Sequence, residues 1–203
     1  MTGIIDYGSG NLKSVYNAFK YIGENAKVCI KGEELFSCDR IVLPGVGSSM
    51  DAMSCLKKNG FIEPLLENIK NNKPFLGICL GLQLLYEFSQ ENGGTECLGL
   101  IKGSVKLFPN PEKKLKVPQI GWNTVDIVKE DCPIFAGIET GSYFYFVHSY
   151  YCDSENKDVI AGTTDFGVKY TSALWKDNIY ALQFHPERSQ DKGLKILENF
   201  IKL

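Results

Sequence analysis

Apolar positions along the first half of the chain switch between two periods. Short β-branched runs at Thr2–Tyr7 (T-G-I-I-D-Y), Ala26–Ile30 and Ile41–Leu43 predict strands. Between them, Leu12, Val15, Tyr16 and Phe19 recur at helical spacing until Gly23, a residue suited to the position just past a helix end. Further helical patterns at Met50–Lys58 and Pro64–Asn71 lead into an apolar strand that starts at Pro74 and a helix expected over Leu80–Glu87. Strands separated by helices indicate βαβ units, and so an α/β fold with a mostly parallel central sheet flanked by helices. In such a sheet the functional loops lie at the carboxyl ends of the strands.

The second half is richer in strand, with runs at Gly103–Phe108, Thr124–Val128, Tyr143–Tyr151, Val159–Thr163, Tyr170–Trp175 and Ile179–Phe184. A last helix over Lys192–Lys202 brings Leu194, Leu197, Phe200 and Ile201 to one face. No repeat, low-complexity tract or linker interrupts the pattern, so one domain over residues 1–203 is expected.

Charge removes some functional classes. The chain carries 22 Lys and Arg against 24 Asp and Glu, which gives no basic surplus to hold nucleic acid. No run of about 18 apolar residues is present to span a membrane. The start M-T-G-I-I-D-Y-G has neither the basic beginning nor the apolar stretch of a signal peptide, so a cytoplasmic protein is expected. Seven cysteines, at positions 29, 38, 55, 79, 97, 132 and 152, form an odd set without a C-x-x-C pair. Reduced thiols, most of them small core residues, fit that set better than a disulfide framework or a zinc site.

One cysteine stands apart. In G-I-C-L-G, Cys79 lies between Gly77 and Gly81 where the strand becomes a helix, the cysteine form of the G-x-S-x-G nucleophile elbow. At a helix amino end, unpaired N–H groups and the helix dipole favour the thiolate, the nucleophilic form. A buried core cysteine is the competing reading, and a base decides between them. The strand I-Y-A-L-Q-F runs directly into H-P-E, where Pro186 biases His185 away from helical geometry and Glu187 is spaced to contact the imidazole from behind. Cys79, His185 and Glu187 then read as nucleophile, base and acid. Taken alone, H-P-E also reads as a turn capped by a carboxylate. The other histidine, His148, falls in an alternating strand, where a hydrogen-bonded structural role is expected.

Two glycine-rich turns complete the candidates. P-G-V-G, Pro44 to Gly47, follows a strand and can expose backbone N–H groups, which with that of Leu80 can form an oxyanion hole; a plain turn is the alternative. G-S-G-N-L-K, Gly8 to Lys13, follows a strand and opens a helix, but Lys13 stands where a dinucleotide loop needs its third glycine.

In these residues the chain resembles the class I glutamine amidotransferases, nearly end to end. The match runs through I-D-Y-G-S-G-N-L, L-P-G-V-G, G-I-C-L-G-L-Q, G-L-I-K-G-S-V, V-P-Q-I-G-W-N, F-V-H-S-Y and Q-F-H-P-E-R-S; G-x-C-x-G with H-P-E carries the class, and D-Y-G-x-G-N-L, G-W-N and H-S-Y in that order narrow it to the glutaminase subunits of histidine synthesis. The resemblance implies a flavodoxin-like sheet with extra antiparallel strands in the second half. It implies that Cys79 attacks the side-chain amide of L-glutamine, that His185 protonates the departing ammonia, and that water hydrolyses the glutamyl thioester without metal or organic cofactor. It also implies that Gly47, Gln83, Ser149 and Tyr150 bind substrate, and that the Val46 amide joins the oxyanion hole after a backbone flip. The implied partner is a (β/α)₈-barrel cyclase that receives the ammonia, docked on a face containing Gln119, Trp122 and Arg188. Gln119 and Arg188 stand where the family usually has histidine and lysine. A paralogue that feeds another acceptor, such as sugar amidation for surface polysaccharide, fits those two changes. A stand-alone cysteine hydrolase or a non-catalytic module are more distant alternatives.

Overall fold

The computed structural model describes residues 1–8, 10–109 and 115–203; Ser9 of the G-S-G-N-L-K turn lies outside the described residues. The first half folds as β1 (Thr2–Ile5), α1 (Leu12–Tyr21), β2 (Ala26–Cys29), β3 (Arg40–Leu43), α2 (Ser49–Lys58), α3 (Ile62–Lys70), β4 (Phe75–Ile78) and α4 (Leu80–Gln83). The second half supplies β5 (Tyr86–Ser89), β6 (Thr95–Glu96), β7 (Ile101–Leu107), β8 (Gln119–Ile127), β9 (Ser142–His148), β10 (Tyr150–Ser154), β11 (Ile160–Asp165), β12 (Lys169–Lys176), β13 (Ile179–Leu182) and α5 (Gln190–Phe200).

The main sheet runs β2-β1-β3-β4-β13-β12-β10-β7-β5-β6. From β2 to β13 every pairing is parallel, whereas β13–β12, β12–β10 and β10–β7 are antiparallel. The parallel strands are buried on both faces and send alternate side chains to two cores. Leu76 and Ile78 of β4 pack with Val15 and Phe19 of α1 and Leu197 and Phe200 of α5, while Phe75 packs with Leu56 of α2 and Leu65 of α3.

Three elements differ from the pattern. The helix expected over Leu80–Glu87 is a single turn that ends at Gln83, and Tyr86–Ser89 is a strand. The run L-L-Y that looked helical is buried all round: Tyr86 is fully buried with its hydroxyl on Ser154, and the Leu85 carbonyl accepts from the N–H groups of Leu100 and Ile101. Strand pairing with β7 therefore overrides local helix propensity there. The run Tyr143–Tyr151 is two strands broken at Ser149, and β8 begins at Gln119, earlier than its β-branched residues suggested.

The two glycines of the elbow are required by close approach. A Cβ on Gly81 would sit 1.9 Å from the carbonyl oxygen of Leu43, and one on Gly77 would sit 2.7 Å from that of Gly81. Both neighbours are backbone, so neither can swing aside. Gly81→Ala should therefore destabilise the fold by about 3 kcal/mol, the upper end of overpacking costs, read as a lower urea midpoint at unchanged slope.

Candidate active site

The parallel pairing of β4 with β13 sets Ile78 beside Leu182, so both strands end at the same edge. Cys79 follows one and His185 closely follows the other. Cys79 has φ 54° and ψ −104°, a conformation that a non-glycine residue holds only under constraint. Its N–H donates to the Leu182 carbonyl at 2.7 Å, and the Gln183 side-chain amide donates toward Sγ at 3.7 Å. The elbow thus points the thiol away from the sheet, while the one-turn α4 offers a weaker dipole than the longer helix expected.

His185 donates from Nδ1 to Glu187 Oε1 at 2.8 Å, with both side chains buried. Asn11 Nδ2 reaches the same carboxylate oxygen and lies 3.2 Å from His185 Nδ1. Asn11 occupies the N-cap position of α1 but makes no side-chain cap bond, because its amide serves Glu187 instead. Residues Asn11 and Gln183 escape sequence reasoning, since in G-N-L and Q-F-H they read as a helix cap and a strand residue. Burial opposes protonation of His185, but negative charge on Cys79 and the Glu187 carboxylate outweigh it, and its pKa is raised to about 10. His185 Nε2 is buried without a hydrogen-bond partner, as is Glu187 Oε2.

Beside Cys79 opens a cavity of about 290 Å³ lined by Gly47, Gln83, Glu91, Ser149 and Tyr150 among others. It exists because the strand breaks at Ser149, which turns Ser149 and Tyr150 toward the elbow. Gln83 Nε2 donates to the Tyr150 carbonyl and to Gln183 Oε1, each at 3.1 Å. Glu91 is a wall residue that no sequence motif marked; its Oε2 accepts from the Ser49 N–H at 2.7 Å at the start of α2. Val46 also lines the cavity, but the Leu80 N–H donates to the Gly45 carbonyl at 3.4 Å. The position expected to be an oxyanion hole therefore holds a carbonyl oxygen in this conformation.

Of the residues expected on a docking face, Trp122 and Arg188 are exposed and Gln119 is not. Gln119 is 3% exposed and bonded to Tyr170, while its neighbour Ile120 is 63% exposed. Alternation along β8 explains the correction: Ile120 and Trp122 face outward, so Gln119 faces the core. His148 is buried and hydrogen-bonded, in the structural role expected for it. All seven cysteines are free, and those at 55 and 97 are the two not fully buried. Among the described residues no helix is long and apolar enough to cross a membrane.

Comparison with known proteins places this architecture. The chain matches the family model for glutamine amidotransferase class-I over residues 3–203. A solved structure described as PurLQS from Thermotoga maritima shares the fold at TM-score 0.79 and 17% identity, covering 99% of this chain and 97% of that one. The chain belongs to the class-I glutamine amidotransferases. The imidazole glycerol phosphate synthase subunit HisH of Methanothermobacter thermautotrophicus is 50% identical over 203 residues, 100% of this chain and 98% of its own. That of Syntrophotalea carbinolica is 47% identical over 204 residues, 98% of each. Within the class, the chain is a member of the family of this subunit, the glutaminase of the synthase.

The two histidines should titrate far apart. Burial, against the pull of the Tyr150 carbonyl, lowers the pKa of His148 to about 4. By NMR, His148 should stay neutral from pH 5 to 9 while His185 stays protonated until its raised pKa near 10. Replacing Cys79 by serine should lower the pKa of His185, because the charge that favours the imidazolium is gone. The contribution of His185 to stability is complete below its unfolded pKa of about 6.5 and is lost as pH rises through about 10.

Proposed function

We propose that residues 1–203 act as one domain that hydrolyses glutamine through a Cys79 thioester and hands the ammonia to a (β/α)₈-barrel cyclase in histidine biosynthesis, in the cytoplasm. The observation that carries this reading is the thiol on a strained elbow at the mouth of an amino-acid-sized cavity, with a buried His185–Glu187 pair at the adjoining strand end.

Cys79 attacks the amide carbon as thiolate, and the carbonyl electrons move to oxygen. His185, protonated and held by Glu187, gives its proton to the amide nitrogen as the C–N bond breaks, and ammonia leaves. Water then loses a proton to His185 and attacks the thioester, so glutamate departs and the thiolate returns. No metal or organic cofactor enters either step. Glu91 supplies the negative charge that the α-ammonium of glutamine requires, and Gln83, with both N–H groups committed, offers its oxygen.

The Gly45 carbonyl on Leu80 makes catalysis conditional. Rotation of the Gly45–Val46 peptide would withdraw that oxygen, free the Leu80 N–H and turn the Val46 N–H toward the oxyanion. Gly47, at φ 99°, sits next to this peptide in a region open to glycine and gives the loop its freedom. The exposed row Ile120, Trp122 and Tyr143, with Arg188 nearby in sequence to the triad, offers an aromatic docking face of the composition that interfaces favour.

The purified chain should release little glutamate from glutamine alone and much more when mixed with the cyclase subunit of the same genome and a cyclase ligand. Cys79→Ala should abolish the rise; unchanged release in that variant would sink the mechanism. In the same complex Glu91→Gln should raise KM for glutamine by about tenfold or more, as expected for losing a charge-assisted contact.

A further inference from the structure

His148 closes β9, with its ring packed between Phe108, Phe146 and Tyr170. Its Nδ1 lies 2.7 Å from the Tyr150 carbonyl oxygen. A carbonyl only accepts, so Nδ1 carries a hydrogen and donates it. Burial keeps the ring neutral, which leaves Nε2 as an acceptor.

The Tyr170 hydroxyl lies 3.3 Å from that Nε2 and 3.0 Å from Gln119 Oε1. A phenol has one proton and cannot serve both acceptors. If it goes to Gln119, the phenol oxygen and His148 Nε2 face each other as lone pairs, and Gln119 Nε2 stays buried without a partner among the described residues. Exchanging the oxygen and nitrogen of the Gln119 amide, which have the same shape, removes both faults. Gln119 then donates to Tyr170, Tyr170 donates to His148 Nε2, and His148 Nδ1 donates to the Tyr150 carbonyl. The atom left over is an amide oxygen, a less costly orphan than an N–H.

The Tyr150 carbonyl is also the acceptor for Gln83, which lines the cavity beside Cys79. We propose that Gln119, Tyr170 and His148 form a one-way hydrogen-bond chain that holds the Tyr150 carbonyl, and through it Gln83, in place as a wall of the glutamine pocket. This rests on reading the cavity as that pocket. The three are positioning residues, and His148 also forms part of the cavity wall. Gln119 lies on the inner face of the strand whose outer face carries Ile120 and Trp122, so the chain starts directly behind the proposed docking face and ends at substrate.

The test uses imidazole ¹⁵N resonances and glutamine kinetics of wild type, Tyr170→Phe and Gln119→Met, each in complex with the cyclase subunit. The protein has only two histidines, so His185→Gln assigns both. At neutral pH, wild type should show His148 protonated on Nδ1 with Nε2 as a hydrogen-bonded acceptor. Tyr170→Phe should move the Nε2 resonance toward that of a free acceptor, whereas Gln119→Met, which leaves the Tyr170 donor in place, should leave it that of a bonded acceptor. KM for glutamine should rise about fivefold, the worth of one hydrogen bond, with kcat changed by less than about twofold. A wild-type ring protonated on Nε2, or a Tyr170→Phe resonance that does not move, would overturn the chain. A resonance that moves while KM holds would overturn its role in the pocket. Failure of an electrophilic glutamine analogue to label wild-type Cys79 would instead indict the pocket reading, which separates the two.

Discussion

The backbone contact between the elbow and its neighbouring strand constrains everything at this site. Gly81 lies against the carbonyl of Leu43, and Gly77 lies against Gly81, so β3, β4 and α4 are locked together at the one place where Cys79 takes its left-handed turn. A parallel strand on the other side, β13, fixes where His185 lies, because its last residue is in register with the last residue of β4. Cys79 and His185 thus follow strands whose ends share a register, although more than a hundred residues of chain separate them. The single-turn helix contributes little by comparison.

Around that core the polar groups are committed in a way that serves charge separation. The buried carboxylate of Glu187 has Asn11 and His185 on one oxygen, which holds the imidazole edge-on and favours its proton. His148, equally buried but without a carboxylate, is held neutral. The same residue type is thus driven in opposite directions within one site: Cys79 and then Glu187 raise the pKa of His185 against its burial, while burial lowers that of His148.

Much of this was legible in the chain. The βαβ alternation, the elbow glycines and H-P-E after an apolar strand each reflect a local rule, and the structure shows β4, β13 and the His185–Glu187 pair where those rules put them. What escaped was decided by tertiary contact. Tyr86 became a strand residue because β7 offered it a partner and Ser154 a hydrogen bond. Gln119 looked like an interface residue until the pleat of β8 turned it inward. Glu91 and Asn11 are ordinary polar residues in sequence, and only the folded chain brings one to the cavity and the other to Glu187.

The Leu80–Gly45 hydrogen bond also has a thermodynamic side. If that bond must break for the oxyanion to be held, then whatever favours the broken state is coupled to everything else that favours it. A docked partner that tightens transition-state binding must, by reciprocity, itself be bound more tightly while the oxyanion is present. The complex would then hold hardest while the oxyanion is bound and less tightly once it is gone.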